Sequence, residues 1–344
     1  MPLSPYRDAS KPDGTGLEGK LVRVSAPARL HLGFLDLHGG LGRKFGSIGL
    51  AIDQPATELT LQRAPADLVE GFEPRRARHM LERFKALLNL DGCYRLNVNS
   101  SIHPHAGLGS GTQLAMAVGA GLAALEGVET EVRALGEMQD RGARSAIGMA
   151  AFEHGGFVVD GGRGGRETAA PIIARASFPS AWRVLLVLGS DCVGVHGEGE
   201  IAAFETLAAM QEAVSAEMCR VTLMQLLPAL AELDIEAFGA AVGVVQRLNG
   251  EYFASAQGGG IWSSHDVARL VKRMAELGAV GIGQSSWGPT GFAFVPSQAQ
   301  AARILDVIEG EAVEAGLRVV IARGRNQGAS VECVVAGQLS ATSG

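Results

Sequence analysis

Apolar residues recur along the chain with two different periods, and the change between them separates predicted strands from predicted helices. Between residues 22 and 34 apolar and polar side chains alternate, which is typical of a strand with one buried face. Strands are also predicted at 48–52, 59–61 and 94–98, whereas 80–90 and 114–125 carry apolar residues at helical spacing. The first half of the chain therefore predicts strands interleaved with helices.

The second half of the chain alternates helical and strand patterns. In chain order we predict a strand at 182–188, helices over 201–248, a helix capped by Ser263 or Ser264, and strands at 317–322 and 331–335. Short apolar runs also flank a loop rich in glycine and serine at 283–291. Helices that alternate with strands, and runs of strands ahead of a helix, indicate an α+β fold.

The length of the chain bears on its domain organisation. Its 344 residues exceed the usual size of a single hydrophobic core, which favours two domains. Residues 1–20 show no periodicity and are expected to form a flexible tail, and 171–179 is interpreted as a passage between domains. The predicted domains are therefore 21–178 and 179–344.

A glycine loop opens the helix predicted over 114–125. Its residues are Gly107, Leu108, Gly109, Ser110, Gly111, Thr112 and Gln113. The glycines let the backbone turn tightly, Ser110 or Thr112 offers a capping oxygen, and the first helical amides lie at the positive end of the helix dipole. Such an end receives phosphate or pyrophosphate well. The loop has no Walker lysine, and a short glycine pattern also fits a plain capped helix.

Composition limits the classes of ligand. A net charge of −6 argues against a general nucleic-acid binder, so an anionic ligand must be met by local positive groups. The segment 141–166 holds four arginines and two acidic residues, which suits a polyanionic ligand; the alternative is that these arginines are solvated on a loop surface. The four cysteines are far apart, and no signal peptide or long apolar span is present, which favours a reducing cytoplasm.

Three motifs occur in an order that resembles the GHMP kinase superfamily. They are Pro27-Ala28-Arg29, the loop from Pro104 to Ser110 and the late loop from Gly283 to Gly291. Within that superfamily the chain is more similar to the β-ribofuranosylaminobenzene 5′-phosphate synthases, which are not kinases. The segments that carry this likeness are Arg29–Asp36, Gly109–Gln113, Arg141–Gly148, Gly155–Gly162, Gly260–Ser264 and Gln284–Gly291.

The resemblance implies both a fold and a reaction. The fold is α+β and GHMP-kinase-like, with an N-terminal ribosomal-protein-S5-like domain, a C-terminal ferredoxin-like domain and a site between them. The reaction joins phosphoribosyl pyrophosphate to a para-substituted benzoate, releases pyrophosphate and carbon dioxide, and is an early step of methanopterin biosynthesis. Such chemistry needs donors that stabilise the departing pyrophosphate.

The implied reaction predicts three groups of site residues in this sequence. Expected catalytic residues are Arg29, His31, Asp36, Arg144 and Ser145, and expected phosphate-binding residues are those of the loop Gly107–Gln113. Expected substrate-binding residues are Arg141, Ser285, Ser286, Trp287, Gly288 and Thr290, with the Trp287 ring stacked on an aromatic ligand. In the alternative interpretation His31 is structural, Asp36 caps a turn and Trp287 is buried beside a β-turn.

Gly148 separates the synthase hypothesis from the kinase hypothesis. The superfamily's kinases carry a catalytic aspartate at the matching place, and a glycine supplies neither charge nor proton acceptance. An ATP-dependent small-molecule kinase is therefore the alternative function, and a non-catalytic binder of phosphorylated ligands is a third.

The resemblance and the composition also suggest cofactors and partners. Magnesium is a candidate cofactor, no organic cofactor is expected, and His103-x-His105 lacks a third metal ligand. The expected partners are the two small-molecule substrates, with no nucleic acid and no membrane. A homodimer is a candidate assembly, and the cytoplasm is the expected location.

Overall fold

Two β-sheets organise the chain. The computed structural model describes residues 19–137, 145–165, 169–189 and 207–335. The strands are β1 Lys20–Asp36, β2 Phe45–Arg63, β3 Leu68–Gly71, β4 Tyr94–Ser100, β5 Phe157–Asp160, β6 Ile172–Ala176, β7 Arg183–Gly189, β8 Val280–Gln284, β9 Gly291–Val295, β10 Leu317–Ala322 and β11 Ser330–Val335. The first sheet has the order β11-β1-β2-β4-β3, with β5 on β2 and β6 on β5, and the second sheet has the order β10-β7-β9-β8.

Nine α-helices of the described residues cover these sheets. They are α1 Pro74–Leu87, α2 Ser110–Glu126, α3 Val132–Glu137, α4 Ile147–Glu153, α5 Glu212–Val221, α6 Leu227–Glu232, α7 Ile235–Phe253, α8 His265–Glu276 and α9 Gln298–Glu314. A π-helical turn, Thr222–Leu226, joins α5 to α6, and a 3₁₀ turn, Ala254–Gln257, follows α7. Ser264 caps α8 as predicted, because its side chain accepts a hydrogen bond from Val267 N.

The second sheet has the strand order of a ferredoxin-like domain. Its strands occur in the chain as β7, β8, β9 and β10, whereas their spatial order is β10-β7-β9-β8, and all neighbours are antiparallel. Apolar residues of α8 and α9 pack on one face of this sheet. The opposite face packs on α7 and on the first sheet. The fold class predicted from the sequence is confirmed.

One hydrophobic core joins the two sheets. Leu30 of β1 and Leu50 of β2 lie in the same buried cluster as Phe238 of α7 and Phe292 of β9. All four side chains are fully buried, and burial of a side chain of this size stabilises the fold by about 1.5–3 kcal/mol. Because this core is continuous, the first half of the chain is fixed against the second, and loops from both halves meet.

Four parts of the chain differ from the sequence-based expectation. The stretch 171–179, interpreted as a passage between domains, contains strand β6, which pairs with β5. The last strand, β11, pairs with β1 in the first sheet. A strand of the predicted second domain, 179–344, therefore belongs to the sheet of the first. The strands predicted at 48–52 and 59–61 are both parts of the single strand β2, which begins at Phe45. Of the expected tail, Lys20 already belongs to β1, and residues 1–18 lie outside the described residues.

Candidate active site

Two glycine-rich loops, one from each half of the chain, are in direct contact. The first glycine loop is Pro104–Gly111 and the second glycine loop is Gly283–Gly291. The Ser285 hydroxyl donates a hydrogen bond to the Gly107 carbonyl at 2.7 Å. A Cβ atom on Gly107 would lie 2.2 Å from the Ser285 carbonyl oxygen, and one on Gly288 would lie 2.5 Å from the Ala106 carbonyl oxygen. Glycine is therefore required at both positions for this approach.

Strand β1 holds both loops in place. The Arg29 amide donates to the Leu108 carbonyl at 3.1 Å, and Arg29 Nη1 donates to the Gly107 carbonyl at 2.5 Å. Two residues further along, the His31 amide donates to Ser285 Oγ at 3.0 Å, and the Ser286 amide donates to the His31 carbonyl at 3.1 Å. Arg29 and His31, two of the predicted site residues, thus lie beside both loops.

The first glycine loop leads into α2 without a side-chain cap among the described residues. Gly109 occupies the N-cap position with φ of +82°, and no side chain accepts a hydrogen bond from the first turn there. The prediction that Ser110 or Thr112 supplies the capping oxygen was wrong. Because the leading amides are not covered by a cap, the positive end of the helix is open to an anion.

Arg29 lies against this helix terminus. A Cβ atom on Gly109 would sit 3.1 Å from Arg29 Cγ and 3.3 Å from Arg29 Nε. The guanidinium charge therefore lies beside the amides at the start of α2. A permanent cation and a helix N-terminus at one place form a strongly anion-binding arrangement.

Gln113 belongs to the interior of the protein. Its side chain is fully buried, and its Nε2 donates to the Gly148 carbonyl at 2.8 Å, which ties α2 to α4. A Cβ atom on Gly148 would lie 3.2 Å from Thr112 Cγ2. Gly148, where the resemblance places the kinases' aspartate, is thus next to the start of α2. Gln113 was expected among the phosphate-binding residues, and the burial of its side chain does not fit that role.

His31 is neutral in this environment. Its side chain is only 3% exposed, and burial, together with the nearby Arg29 charge, lowers its pKa from 6.5 to about 3. Its Nε2 atom has no hydrogen-bond partner among the described residues. The imidazole lines a small cavity of about 30 Å³ together with Phe253 and Trp287. That volume holds about two water molecules.

Trp287 does not present its ring to a ligand. Its side chain is 4% exposed, and its ring centroid lies 4.4 Å from that of Phe253 inside a hydrophobic cluster with Phe34 and Leu37. The expected stacking of Trp287 on a substrate ring therefore does not fit the structure. Thr290 of the same loop lies on another side of the loop contact, where it lines a larger cavity.

Asp36 and Arg43 stabilise turns. Asp36 Oδ1 accepts hydrogen bonds from the amides of His38 and Gly39 at 2.8 and 2.9 Å, which is the turn-capping alternative of the sequence analysis. Arg43 donates to the carbonyls of Gly161 and Gly162 at 2.8 and 2.7 Å. The arrangement connects the loop after β1 to the turn after β5.

A buried carboxylate that sequence reasoning did not select lies under Ser145. Asp160 accepts hydrogen bonds from the Ser47 hydroxyl, the Ala146 amide and the Gly162 amide, and Ser145 Oγ lies 2.6 Å from Ser47 Oγ. Burial raises the pKa of Asp160, and these donors oppose that rise. The available signal was an aspartate that ends the wholly apolar run Phe157–Val159. Ser145 is thus oriented by Asp160.

Side chains that could bind a metal ion are not clustered among the described residues. No three His, Cys, Asp or Glu side chains of the described ranges lie close enough together to hold a metal ion. The carboxylate of Asp160 is surrounded by hydrogen-bond donors, and that of Asp36 accepts hydrogen bonds within a turn.

Among the helices described, none is both long and apolar enough to cross a membrane. The predicted site residues Arg141 and Arg144 lie outside the described residues.

Comparison with known proteins places this fold in a superfamily. Residues 75–156 match the model of the GHMP kinase N-terminal domain, and residues 226–314 match that of the GHMP kinase C-terminal domain. The structure is similar to that of homoserine kinase from Cytophaga hutchinsonii, with a TM-score of 0.63, 16% identity, and coverage of 91% of this chain and 97% of the other. The fold and its paired glycine loops define a member of the GHMP kinase superfamily.

Sequence relatives narrow this assignment. The chain is 32% identical over 326 residues to beta-ribofuranosylphenol 5'-phosphate synthase of Archaeoglobus fulgidus, covering 91% of this chain and all of the relative. It is 28% identical over 330 residues to the synthase of that name from Methanothermobacter thermautotrophicus, covering 89% of this chain and 97% of the relative. The chain belongs to the beta-ribofuranosylphenol 5'-phosphate synthase family. These relatives are named for a phenol product, whereas the resemblance seen in the sequence implied an aminobenzene product.

Proposed function

We propose that this protein joins phosphoribosyl pyrophosphate to 4-hydroxybenzoate or 4-aminobenzoate, with loss of pyrophosphate and carbon dioxide, as an early step of methanopterin biosynthesis. The enzyme is then a pentosyltransferase. The observation that carries the proposal is the contact between the two glycine loops over Arg29, in a chain whose relatives are named for a ribofuranosylphenol phosphate product. The relatives' name favours the hydroxybenzoate as acceptor.

In this proposal the start of α2 and the Arg29 guanidinium hold the pyrophosphate. As the bond from the anomeric carbon to pyrophosphate breaks, its electron pair leaves with the pyrophosphate oxygen. Preorganised amides and a guanidinium stabilise that developing charge without reorganising during the reaction. The Arg29 Nη1 bond to Gly107 fixes the guanidinium to the loop whose amides it assists.

The acceptor reacts through the ring carbon that bears its carboxylate. That carbon forms a bond to the anomeric carbon, and the bond to the carboxylate then breaks, so that its electron pair restores the aromatic ring and carbon dioxide leaves. A para hydroxyl or amino group donates electrons to that carbon. The protein's part is to position the two carbons and to exclude water from the ribosyl cation.

The experiment that tests the proposal is a product assay with both substrates. Purified protein is incubated with phosphoribosyl pyrophosphate and 4-hydroxybenzoate or 4-aminobenzoate carrying a labelled carboxyl group. We expect equal amounts of pyrophosphate and labelled carbon dioxide, released only when both substrates are present. Consumption of neither substrate would overturn the proposal.

A further inference from the structure

A cavity of about 460 Å³ lies between the two halves of the chain, beside the first glycine loop. Ala106 and Leu108 of that loop line it, and both side chains are nearly fully buried. Across the cavity from this loop the second half of the chain contributes Leu188 and Leu317. Small-molecule sites have volumes of roughly 300–1,000 Å³ and mostly apolar walls with a few polar groups, as this cavity has.

Thr290 and Glu73 are two of the polar residues that line the cavity, beside Ser101, His103 and Arg318. Thr290 is 1% exposed, and its Oγ1 atom has no hydrogen-bond partner within the described part of the chain. Glu73 lines the same cavity from the first half of the chain, with its side chain 15% exposed. Its carboxylate accepts from Arg76 Nη1 at 2.9 Å and from Ser101 Oγ at 3.0 Å, and its backbone has an uncommon φ of +50°.

We propose that this cavity binds the aromatic acceptor of the proposed reaction, with the para substituent donating a hydrogen bond to Glu73. The inference rests on the proposed function. The apolar walls take the two faces of the ring, and the carbon bearing the carboxylate points toward the first glycine loop, where the pyrophosphate is held. The cavity beside His31 also lies near the loops, but its volume of about 30 Å³ is too small for a ring.

Glu73 then has a chemical role. A para hydroxyl that donates to a fixed carboxylate releases more electron density into the ring, and the carbon opposite that hydroxyl is the one that attacks. The ring carbon forms its bond to the anomeric carbon, pyrophosphate leaves with the electron pair of the broken bond, and carbon dioxide leaves while its pair restores the ring. The hydroxyl proton stays between the ring oxygen and Glu73.

Photolabelling tests the location without any variant. 4-Azidobenzoate has the shape of the acceptor, and it should label residues 72–76, 101–108 or 188, with protection by excess 4-hydroxybenzoate. Labelling of residues 246–261 or 284–288 would place the ring beside His31 and overturn the proposal. If ATP prevents labelling of the cavity and 4-hydroxybenzoate does not, the cavity is a nucleotide site, and the proposal is overturned.

A variant of the cavity wall tests whether the acceptor binds there. Leu188→Phe should raise the apparent KM for 4-hydroxybenzoate at least tenfold and leave that for phosphoribosyl pyrophosphate within twofold. The control Leu223→Phe, at an exposed site, should change neither KM.

A second variant tests the chemical role of Glu73. Glu73→Gln should lower kcat about tenfold or more, and it should reduce the preference for binding 4-hydroxybenzoate over 4-fluorobenzoate. Its control is Glu70→Gln, at the exposed ion pair with Arg95.

The two proposals fail separately. If the wild-type protein forms no product from either benzoate, the proposed function is wrong. If it forms product while folded Leu188→Phe and Glu73→Gln keep wild-type kinetics, the function holds and the cavity assignment is wrong.

Discussion

The Gly107 carbonyl accepts hydrogen bonds from both the Arg29 guanidinium and the Ser285 hydroxyl, at 2.5 and 2.7 Å. Arg29 and Ser285 are separated by more than two thirds of the chain, yet they meet at one atom of the first glycine loop. The position of that loop, and of the amides that follow it, is therefore set by both halves of the molecule at once.

Ser285→Ala should loosen the contact between the two loops. The change removes the acceptor of the His31 amide and the donor to the Gly107 carbonyl, and a buried group left without its partner costs about 1–3 kcal/mol. Urea denaturation should show a loss of that size. Ser286→Ala is the control, since the contact of Ser286 with β1 is made by its backbone N–H. Equal stability of the two variants would contradict the prediction.

Gly109→Ala should weaken binding of the phosphorylated donor. Gly109 and Gly127 flank α2 with φ of +82° and +67°, so alanine at either position carries a similar backbone penalty. Only at Gly109 does the added Cβ approach another group, Arg29, because nothing lies within 4 Å of a Cβ at Gly127. The apparent KM for phosphoribosyl pyrophosphate should rise in Gly109→Ala and stay near wild type in Gly127→Ala. The same rise in both variants would point to backbone strain alone.

Arg29→Gln should lower turnover by about 10² or more, the scale observed when one preorganised donor to a developing charge is lost. The control is Arg23→Gln, an exposed arginine on the same strand. Steady-state kinetics with both substrates would measure the effect, and circular dichroism would verify the fold. Near-normal turnover in Arg29→Gln would show that Arg29 has only a structural role.

Stability should depend on pH through His31. Burial lowers the pKa of His31 from 6.5 to about 3 in the folded protein. Between these two pH values the unfolded chain binds a proton at His31, whereas the folded protein does not. The free energy of unfolding should therefore fall as pH falls from 6.5 toward 3, by a few kcal/mol at pH 4 from this group.

His31→Gln removes that contribution, so its free energy of unfolding should vary less with pH over the same range. His79→Gln, at an exposed position of α1, should keep the wild-type slope. Urea denaturation at several pH values measures each slope. Identical slopes in His31→Gln and the wild type would contradict a buried neutral His31.

Gly148→Asp should lower synthase activity without creating a kinase. The new carboxylate would lie beside Thr112 at the start of α2, close to the proposed pyrophosphate site, where like charges repel strongly when poorly solvated. Gly148→Asn is the isosteric control. The activity of the Asp variant relative to the Asn variant should rise between pH 7 and pH 5, as the carboxylate protonates.

The wild-type protein should not phosphorylate galactose, homoserine or mevalonate with ATP, because position 148 supplies no carboxylate. A coupled assay for ADP, with each alcohol in turn, measures this. Robust ATP-dependent phosphorylation would support the kinase alternative.

Local periodicity was enough to predict much of the fold. Helix α2, strand β10 and the Ser264 cap of α8 follow from residues close together in the chain, because helix and strand periods and caps are local properties. The glycine loop was selected from the sequence for the same reason, whereas Arg29 was selected through the family resemblance. Strand β6 was missed because its exposed apolar residues, Ile172 and Ile173, are stabilised by pairing with a distant strand rather than by a pattern of their own.

Only the tertiary structure decided how these pieces meet. The sequence identified Trp287 and Asp36 as chemically suitable, but burial of Trp287 against Phe253 and the turn at Asp36 are products of packing and of local hydrogen bonds. The cluster of Asp160 with Ser47 and Ser145 joins three separate segments, and the cavity of Glu73 and Thr290 needs both halves of the chain. The sequence determines which chemical groups are present. Their neighbours are determined when distant segments pack together, and these neighbours decide the charge state of each group and its access to a ligand.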